Sequence, residues 1–470
     1  ILPFPEGTAC GQLLKAGERS HPYASLAFWG IAIGAVYKLA MSGLFLWRET
    51  VRFTFRTFEN AFIGASCTPA LLGVGFIIGG RITSVLLAGG ALAWWVLIPL
   101  IHTLGGDGGA AAMSSEEIWS SYIRYIGAGA IAVGGMLALV RVAPVIRQTI
   151  RAAFIELPHM FKSRAHEERT DRDIPLPYLL LGSLAIILFL WLYPGFHLNI
   201  VTILILALLG FFFVAVASIT VGLIGSSSSP VSGMTITVLL ITCITYYLLG
   251  WKEETFLISA VMMGSATAVS LALAGATSQD LKAGFIVGST PRAQQIVEIF
   301  GLILPAFAVA GTLALLADAY GFGTEALPAP QATLVALITK GVISGDLPIV
   351  LVVIGAILGL ILALLRIPVL PFAIGFYLPI PLSVAMAAGG AIHALVSKRA
   401  KKKEQALERG TLIASGLVAG DACMGVAVAI LVVFGIIPAE KPALLGNLSS
   451  LLCYLLLGAG LYYVTMKRKR

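Results

Sequence analysis

Charge is what this sequence has least of. Asp, Glu, Lys and Arg make up 11% of its 470 residues, less than half of the about 25% usual for a soluble domain. With 58% hydrophobic residues and a mean hydropathy of +0.96, the chain carries more apolar surface than a soluble core can hide, which excludes a water-soluble enzyme or binding module. Cysteine is scarce too. Cys10, Cys67, Cys243, Cys423 and Cys453 stand in or beside apolar runs with no CxxC pair, which argues against disulfides and a zinc site and reads as buried free thiols. The six histidines are scattered, the closest being His159 and His166 in a charged loop, so no protein-only metal site and no cofactor are predicted. The net charge of +8 does not point to nucleic acid, because the basic residues fall in short runs between apolar segments, the positive-inside pattern of cytoplasmic loops. The chain opens at Ile1 with no methionine, basic n-region or cleavage site, so no signal peptide is read, and the start is expected to be a truncation.

What is present is a series of apolar runs, each near the about 20 helical residues that cross a bilayer. They cover roughly 24–47, 59–80, 82–101, 120–140, 178–193, 199–224, 231–250, 255–275, 296–317, 348–366, 370–397, 410–435 and 447–466, with a shorter run at 331–345. The expected fold is an all-α polytopic membrane protein of about 12–14 crossings, divided into residues 1–140, a charged cytoplasmic loop at 141–177, and a second half at 178–470. The basic clusters at 141–172 and 398–409 and the tail Lys467–Arg470 are read as cytoplasmic. That parity holds if 331–345 is a short or broken crossing; Arg48, Arg52 and Arg56 then fall on the outer side, against the rule. The polar stretch 276–295 becomes a cytoplasmic connection, with Thr290-Pro291 opening the next helix.

Small-residue pairs such as Gly73/Gly75, Gly134/Gly135 and Gly389/Gly390 read as places where helix backbones approach closely. Proline inside an apolar run is different, because lipid cannot replace the backbone bond it removes. Pro3, Pro5, Pro69, Pro230, Pro371, Pro379 and Pro381 therefore predict interrupted helices. LPFPEG from Leu2 is echoed by LPFAIGFYLPIP from Leu370, and each precedes a small-residue helix spotted with polar groups, from Ile63 and Ala414. Two pseudo-symmetric halves with broken helices are the sign of a secondary transporter. The second copy has an upstream element, GSSSSPVSGMT at Gly225–Thr235, with no counterpart before Leu2. Part of the first half is therefore expected to be missing.

Four blocks in order, LPFPEGTACGQLLKAGE, SPVSGMT, TSQDLKAGFIVGSTPRAQQ and LPFAIGFYLPI, resemble the oligopeptide transporter (OPT) family over essentially the whole chain, in particular its prokaryotic branch related to the yellow stripe-like carriers. Ala283 and Ala293 stand where Thr and Lys are expected, and Asp421 where Glu is usual. The resemblance implies import of small peptides or metal–chelate complexes with protons. It also implies an integral protein of a prokaryotic inner membrane, and a homodimer is compatible with it.

Acids inside membrane segments are costly and tend to be functional. Glu6, Asp280, Asp346 and Asp421 qualify. Glu6, after Pro5 and a broken backbone, reads either as a group for a substrate amine or proton, or as a solvated helix end. Asp421 lies eleven residues into an apolar run; a carboxyl buried there suits reversible proton uptake, and the alternative is a structural pair with another helix. Lys38 is the candidate partner, or a ligand for a substrate carboxylate, with snorkelling to an interface as the bland alternative. Ser228, Ser229, Pro230 and Gly233 read as an unwound helix start offering donors to an anion, or as a plain flexible loop. Tyr377 and Pro379 line the second break, although Tyr377 also fits an interfacial anchor. Asp280 either gates the inner mouth or caps a helix.

An intramembrane aspartyl protease would also need buried acids, but Ser344–Asp346 lacks the glycine that class requires, with Ile343 in its place, and no Tyr–Asp pair accompanies it. The chain is thus not read as an enzyme. A passive channel or facilitator for a small polar solute is the remaining alternative to a proton symporter.

Overall fold

The computed structural model describes residues 4, 7–8, 10–11, 14, 24–54, 62–104, 113–131, 133–134, 137, 140, 168–224, 231–324, 327, 329–344, 349–438 and 441–467. In chain order the elements are α1 (Ala24–Lys38, continued by a π-turn at Leu39–Gly43), the hairpin β1 (Thr50–Thr54) and β2 (Phe62–Ser66), α2 (Pro69–Ile78), α3 (Gly80–Leu104), α4 (115–131), α5 (Leu176–Leu192) and α6 (200–224). They continue with α7 (Val231–Leu248), α8 (Glu254–Val287), α9 (Pro291–Tyr320), α10 (Pro330–Ser344), α11 (Ile349–Leu364), α12 (Val369–Tyr377), α13 (Ile380–Arg399), α14 (Lys403–Val433) and α15 (Asn447–Met466). Among the described residues, eight helices are long and apolar enough to cross a membrane, and four shorter apolar helices accompany them. The protein is an all-α polytopic membrane protein with one small hairpin, whose register pairs Thr50 with Ser66 and Thr54 with Phe62. Bilayer-facing surfaces account for the exposed apolar side chains, such as Leu304 and Phe307 on α9 and Leu184 and Leu192 on α5.

Two expected crossings come out differently. The run at 59–80 is not one helix: its described part begins as strand β2, because β1 offers a partner ladder, and turns helical only at Pro69, which occupies the first turn with Thr68 as its cap. The crossing expected over 255–275 continues through the polar stretch from Ala276, while the next helix opens at Pro291 as expected. α8 runs on to Val287 as 34 residues, about 50 Å at 1.5 Å per residue, and ends where Gly288 takes the left-handed conformation at φ +79°. The thiols are free, but only Cys67 and Cys243 are buried; Cys10 and Cys423 are exposed, since an apolar helix in lipid has no need to hide its outer face.

The chain folds as two compact units. One comprises Ile1–Ser20, Ala132–Val309 and Gln331–Leu347; the other comprises His21–Ile131, Ala310–Pro330 and Pro348–Arg470. In the first, Phe213, Val216 and Ala217 of α6 pack with Met234 and Val238 of α7 and Met263 and Leu271 of α8. Tyr246 Oη meets both Thr202 Oγ1 and Ser259 Oγ there, tying α6, α7 and α8 through a buried hydroxyl chain. The described part of the 141–177 loop, from residue 168, docks on the α8–α9 turn: Arg169 donates to Gly288 O at 2.8 Å and Thr290 Oγ1 at 2.9 Å, and Gln295 Oε1 accepts from Ile174 N at 3.1 Å.

In the second unit the core joins Leu72 and Phe76 of α2, Ala385 and Val396 of α13, Ala414 and Leu417 of α14, and Tyr454 and Leu461 of α15. Helix backbones touch through glycine. A Cβ on Gly73 would stand 2.6 Å from Ala414 O, and Gly75 and Gly389 close on the backbones of Met386 and Leu72, as the small-residue pairs predicted. Another such crossing joins α1 to α14 through Gly30 and Gly34 on one side and Gly416 and Gly420 on the other. Both helices carry the small-xxx-small spacing.

Candidate functional site

The α1–α14 crossing sets two ionisable residues side by side. Lys38 is the last residue of α1, one turn after Gly34, and Asp421 follows Gly420 directly. The glycines let the backbones meet, so the amide nitrogen of Asp421 lies 3.2 Å from where a Cβ on Gly34 would be, and Lys38 Cε lies 3.8 Å from the corresponding point on Gly425. Lys38 donates from Nζ to Glu49 Oε2 at 3.1 Å, and Ser42 Oγ reaches the same oxygen at 3.4 Å. Asp421 is 9% exposed, and its Oδ1 is buried without a hydrogen-bond partner among the described residues. Lys38, Glu49 and Asp421 interact electrostatically as one group. The π-turn Leu39–Gly43 immediately after Lys38 is a form of irregularity common at functional sites. Two of the residues singled out in the sequence are thus brought together, and Glu49, passed over because it lies at the end of an apolar run, completes the group.

The second site lies at the break between α12 and α13 in the same unit. α12 stops at Tyr377; Leu378 and Pro379 are extended, and α13 starts at Ile380. Pro379 and Pro381 carry no N–H, so the helix cannot run on through the break, and lipid cannot replace the bonds they remove. Trp94, from the π-turn Leu92–Leu97 of α3, donates its indole N–H to Leu378 O at 3.1 Å in a buried position. Tyr377, 3% exposed, accepts at Oη from Arg124 Nη2 at 3.3 Å. Arg124 is carried by α4, whose start is fixed by a capping box: Ser114 Oγ accepts from Glu117 N, and Glu117 accepts from Ser114 N at 2.7 Å. The bond from Ser114 N first, and one that Ser114 Oγ donates to the same carboxylate at 3.0 Å, hold the Glu117 carboxyl below its ordinary range.

The other predicted site residues fall elsewhere. Asp280 belongs to the first unit, is exposed on α8, and its carbonyl accepts from Gln294 Nε2 at 2.6 Å. Gly233 lies in the first turn of α7. Pro5, Glu6, Ser228, Ser229, Pro230 and Asp346 lie outside the described residues. Gln279, one residue before Asp280, was missed. It is 7% exposed, accepts from Gly7 N at 2.6 Å and donates to Val221 O at 3.2 Å, joining the opening segment to α6 and α8. A buried amide side chain in a membrane helix is the signal that could have found it.

A family model described as "OPT oligopeptide transporter protein" matches residues 1–432. A Haemophilus influenzae protein named "Putative oligopeptide transporter" is 28% identical over 490 residues, an alignment that covers 92% of this chain and 76% of that protein.

Proposed function

Because the chain belongs to the OPT oligopeptide transporter family, we propose that it is a secondary active transporter that takes up small peptides or metal–chelate complexes together with protons, by alternating access. It works in the cytoplasmic membrane, with its C-terminal tail on the cytoplasmic side. The observation that carries this reading is the buried carboxyl of Asp421 set beside Lys38 at a glycine-only helix crossing. A buried carboxyl with an unanswered oxygen is costly in a membrane, and it suits a group that gains and loses a proton in each cycle. Lys38 and Glu49 provide charges that exchange partners with it as the proton moves. Glu6 is the second carboxyl proposed to take part; Tyr377 and Pro379 at the α12–α13 break are proposed substrate residues, and Pro5, Glu6, Ser228, Ser229, Pro230 and Gly233 are proposed as further ones from the sequence. Asp280 serves at the inner end of α8.

Uptake into proteoliposomes with and without an imposed pH gradient tests this. Accumulation of a tripeptide or a metal chelate above its external concentration only when the gradient is present is the expected result. Gradient-independent equilibration would instead make the protein a facilitator.

A further inference from the structure

We infer that Arg124, Trp119 and Tyr377 form a receptor for a carboxylate group of the transported substrate, an inference that rests on the transporter reading above. The guanidinium carbon of Arg124 sits 5.1 Å from the ring centroid of Trp119 and 5.6 Å from that of Tyr377. The two rings lie 6.5 Å apart, and Trp94 extends the aromatic wall at 5.9 Å from Trp119. Aromatic faces hold a cation in place while leaving its N–H groups available to an anion. Two donors in the cluster are unanswered: Arg124 Nε and Trp119 Nε1 are both buried without a hydrogen-bond partner among the described residues.

Charge points the same way. The salt bridges among the described residues join Lys38 to Glu49 and Arg52 to Glu116, so the charge of Arg124 is matched by no described carboxylate. Its hydrogen bond goes to the neutral phenol of Tyr377. A cation kept half-buried in a membrane protein without a counter-charge is expensive, and a planar fork of donors is the arrangement that receives a carboxylate on two oxygens. The location adds a third argument. The cluster closes on the last residue of α12, where the helix is broken and backbone geometry is free to change. A carboxylate bridging Arg124 and Trp119 would load that hinge. A peptide C-terminus and the carboxylates of a metal chelate present the same chemistry.

Binding to purified protein in detergent, measured by calorimetry, tests the assignment with three probes: trialanine, trialanine amide and ferric citrate. Wild type is expected to bind the free acid more tightly than the amide by about 10- to 100-fold, the range of a hydrogen bond to a charged group. Arg124→Gln should remove that preference, and Arg124→Lys should retain only part of it. Trp119→Phe keeps an aromatic face but deletes one donor, so it should shrink the preference of acid over amide; it decides the matter if Arg124→Gln does not fold. Equal binding of acid and amide by wild type, or a preference unchanged in these variants, overturns the carboxylate receptor while leaving peptide transport intact. Arg124-dependent binding of ferric citrate without any tripeptide binding keeps the receptor and assigns it to chelates. Binding of none of the three overturns both.

Discussion

Gly34 of α1 and Leu417 of α14 approach so closely that a Cβ on the glycine would lie 2.5 Å from the leucine carbonyl oxygen. No side chain fits there, and the approach is what sets Lys38 and Asp421 against each other one turn further along. Gly34→Ala should push the helices apart at a cost of about 1–3 kcal/mol, lowering the thermal midpoint in detergent. Gly34→Leu should abolish transport in proteoliposomes even where protein is recovered. Wild-type stability in Gly34→Leu would show that the crossing is looser than described.

The Lys38–Asp421 relationship makes a prediction about non-additivity. Lys38→Met leaves Glu49 and Asp421 without their shared cation, so it should destabilise the protein more when Asp421 is present than when it is Asn. A double-mutant cycle with Lys38→Met and Asp421→Asn, read by thermal unfolding, should give a coupling of about 0.5–3 kcal/mol. Strictly additive effects would mean that the two residues do not sense each other.

Gln279 ties the opening segment to two helices through Gly7 N and Val221 O. Gln279→Ala leaves these buried groups unanswered, at about 1–3 kcal/mol each. Limited proteolysis should then cut within the first 20 residues several-fold faster than in wild type.

The capping box at Ser114 gives a pH dependence with a definite sign. The Glu117 carboxyl is held below the ordinary glutamate value of 4.5, so the stabilisation is fully present above that value and is lost as pH falls through the lower, folded one. Hydrogen exchange of amides 115–118 should be slow at pH 7 and speed up, relative to intrinsic rates, only at pH values below about 4.5. Glu117→Gln should remove the pH dependence, and Ser114→Ala should only reduce it, because the backbone N–H of residue 114 still donates to the carboxylate.

Most of the helices were legible because a bilayer imposes one length on apolar runs; 199–224 and 447–466 match α6 and α15 almost to the residue. The break at Leu378-Pro379 was legible because proline leaves no other backbone solution. β2 was not, since an apolar strand paired with β1 reads like part of a helix until the partner is known. The continuation of α8 past Gly275 is hidden for a different reason: a polar stretch between apolar runs reads as a loop, whereas Gln279 satisfies its amide inside the fold. Asp421 and Lys38 were visible as charges out of place, but Glu49, Trp119 and Arg124 lie where apolar runs end, and charges and indoles are ordinary there. Only the fold shows that Glu49 joins Lys38 and that Trp119 and Arg124 meet Tyr377.

The most direct test of the account is pH-gradient-driven uptake of a tripeptide or ferric citrate by Asp421→Asn in proteoliposomes, beside wild type. Coupled accumulation should be lost in the variant while exchange of preloaded substrate continues, because the neutral amide keeps the shape of the carboxyl but cannot release a proton. Accumulation at the wild-type level in Asp421→Asn would contradict the central claim and move the coupling proton elsewhere.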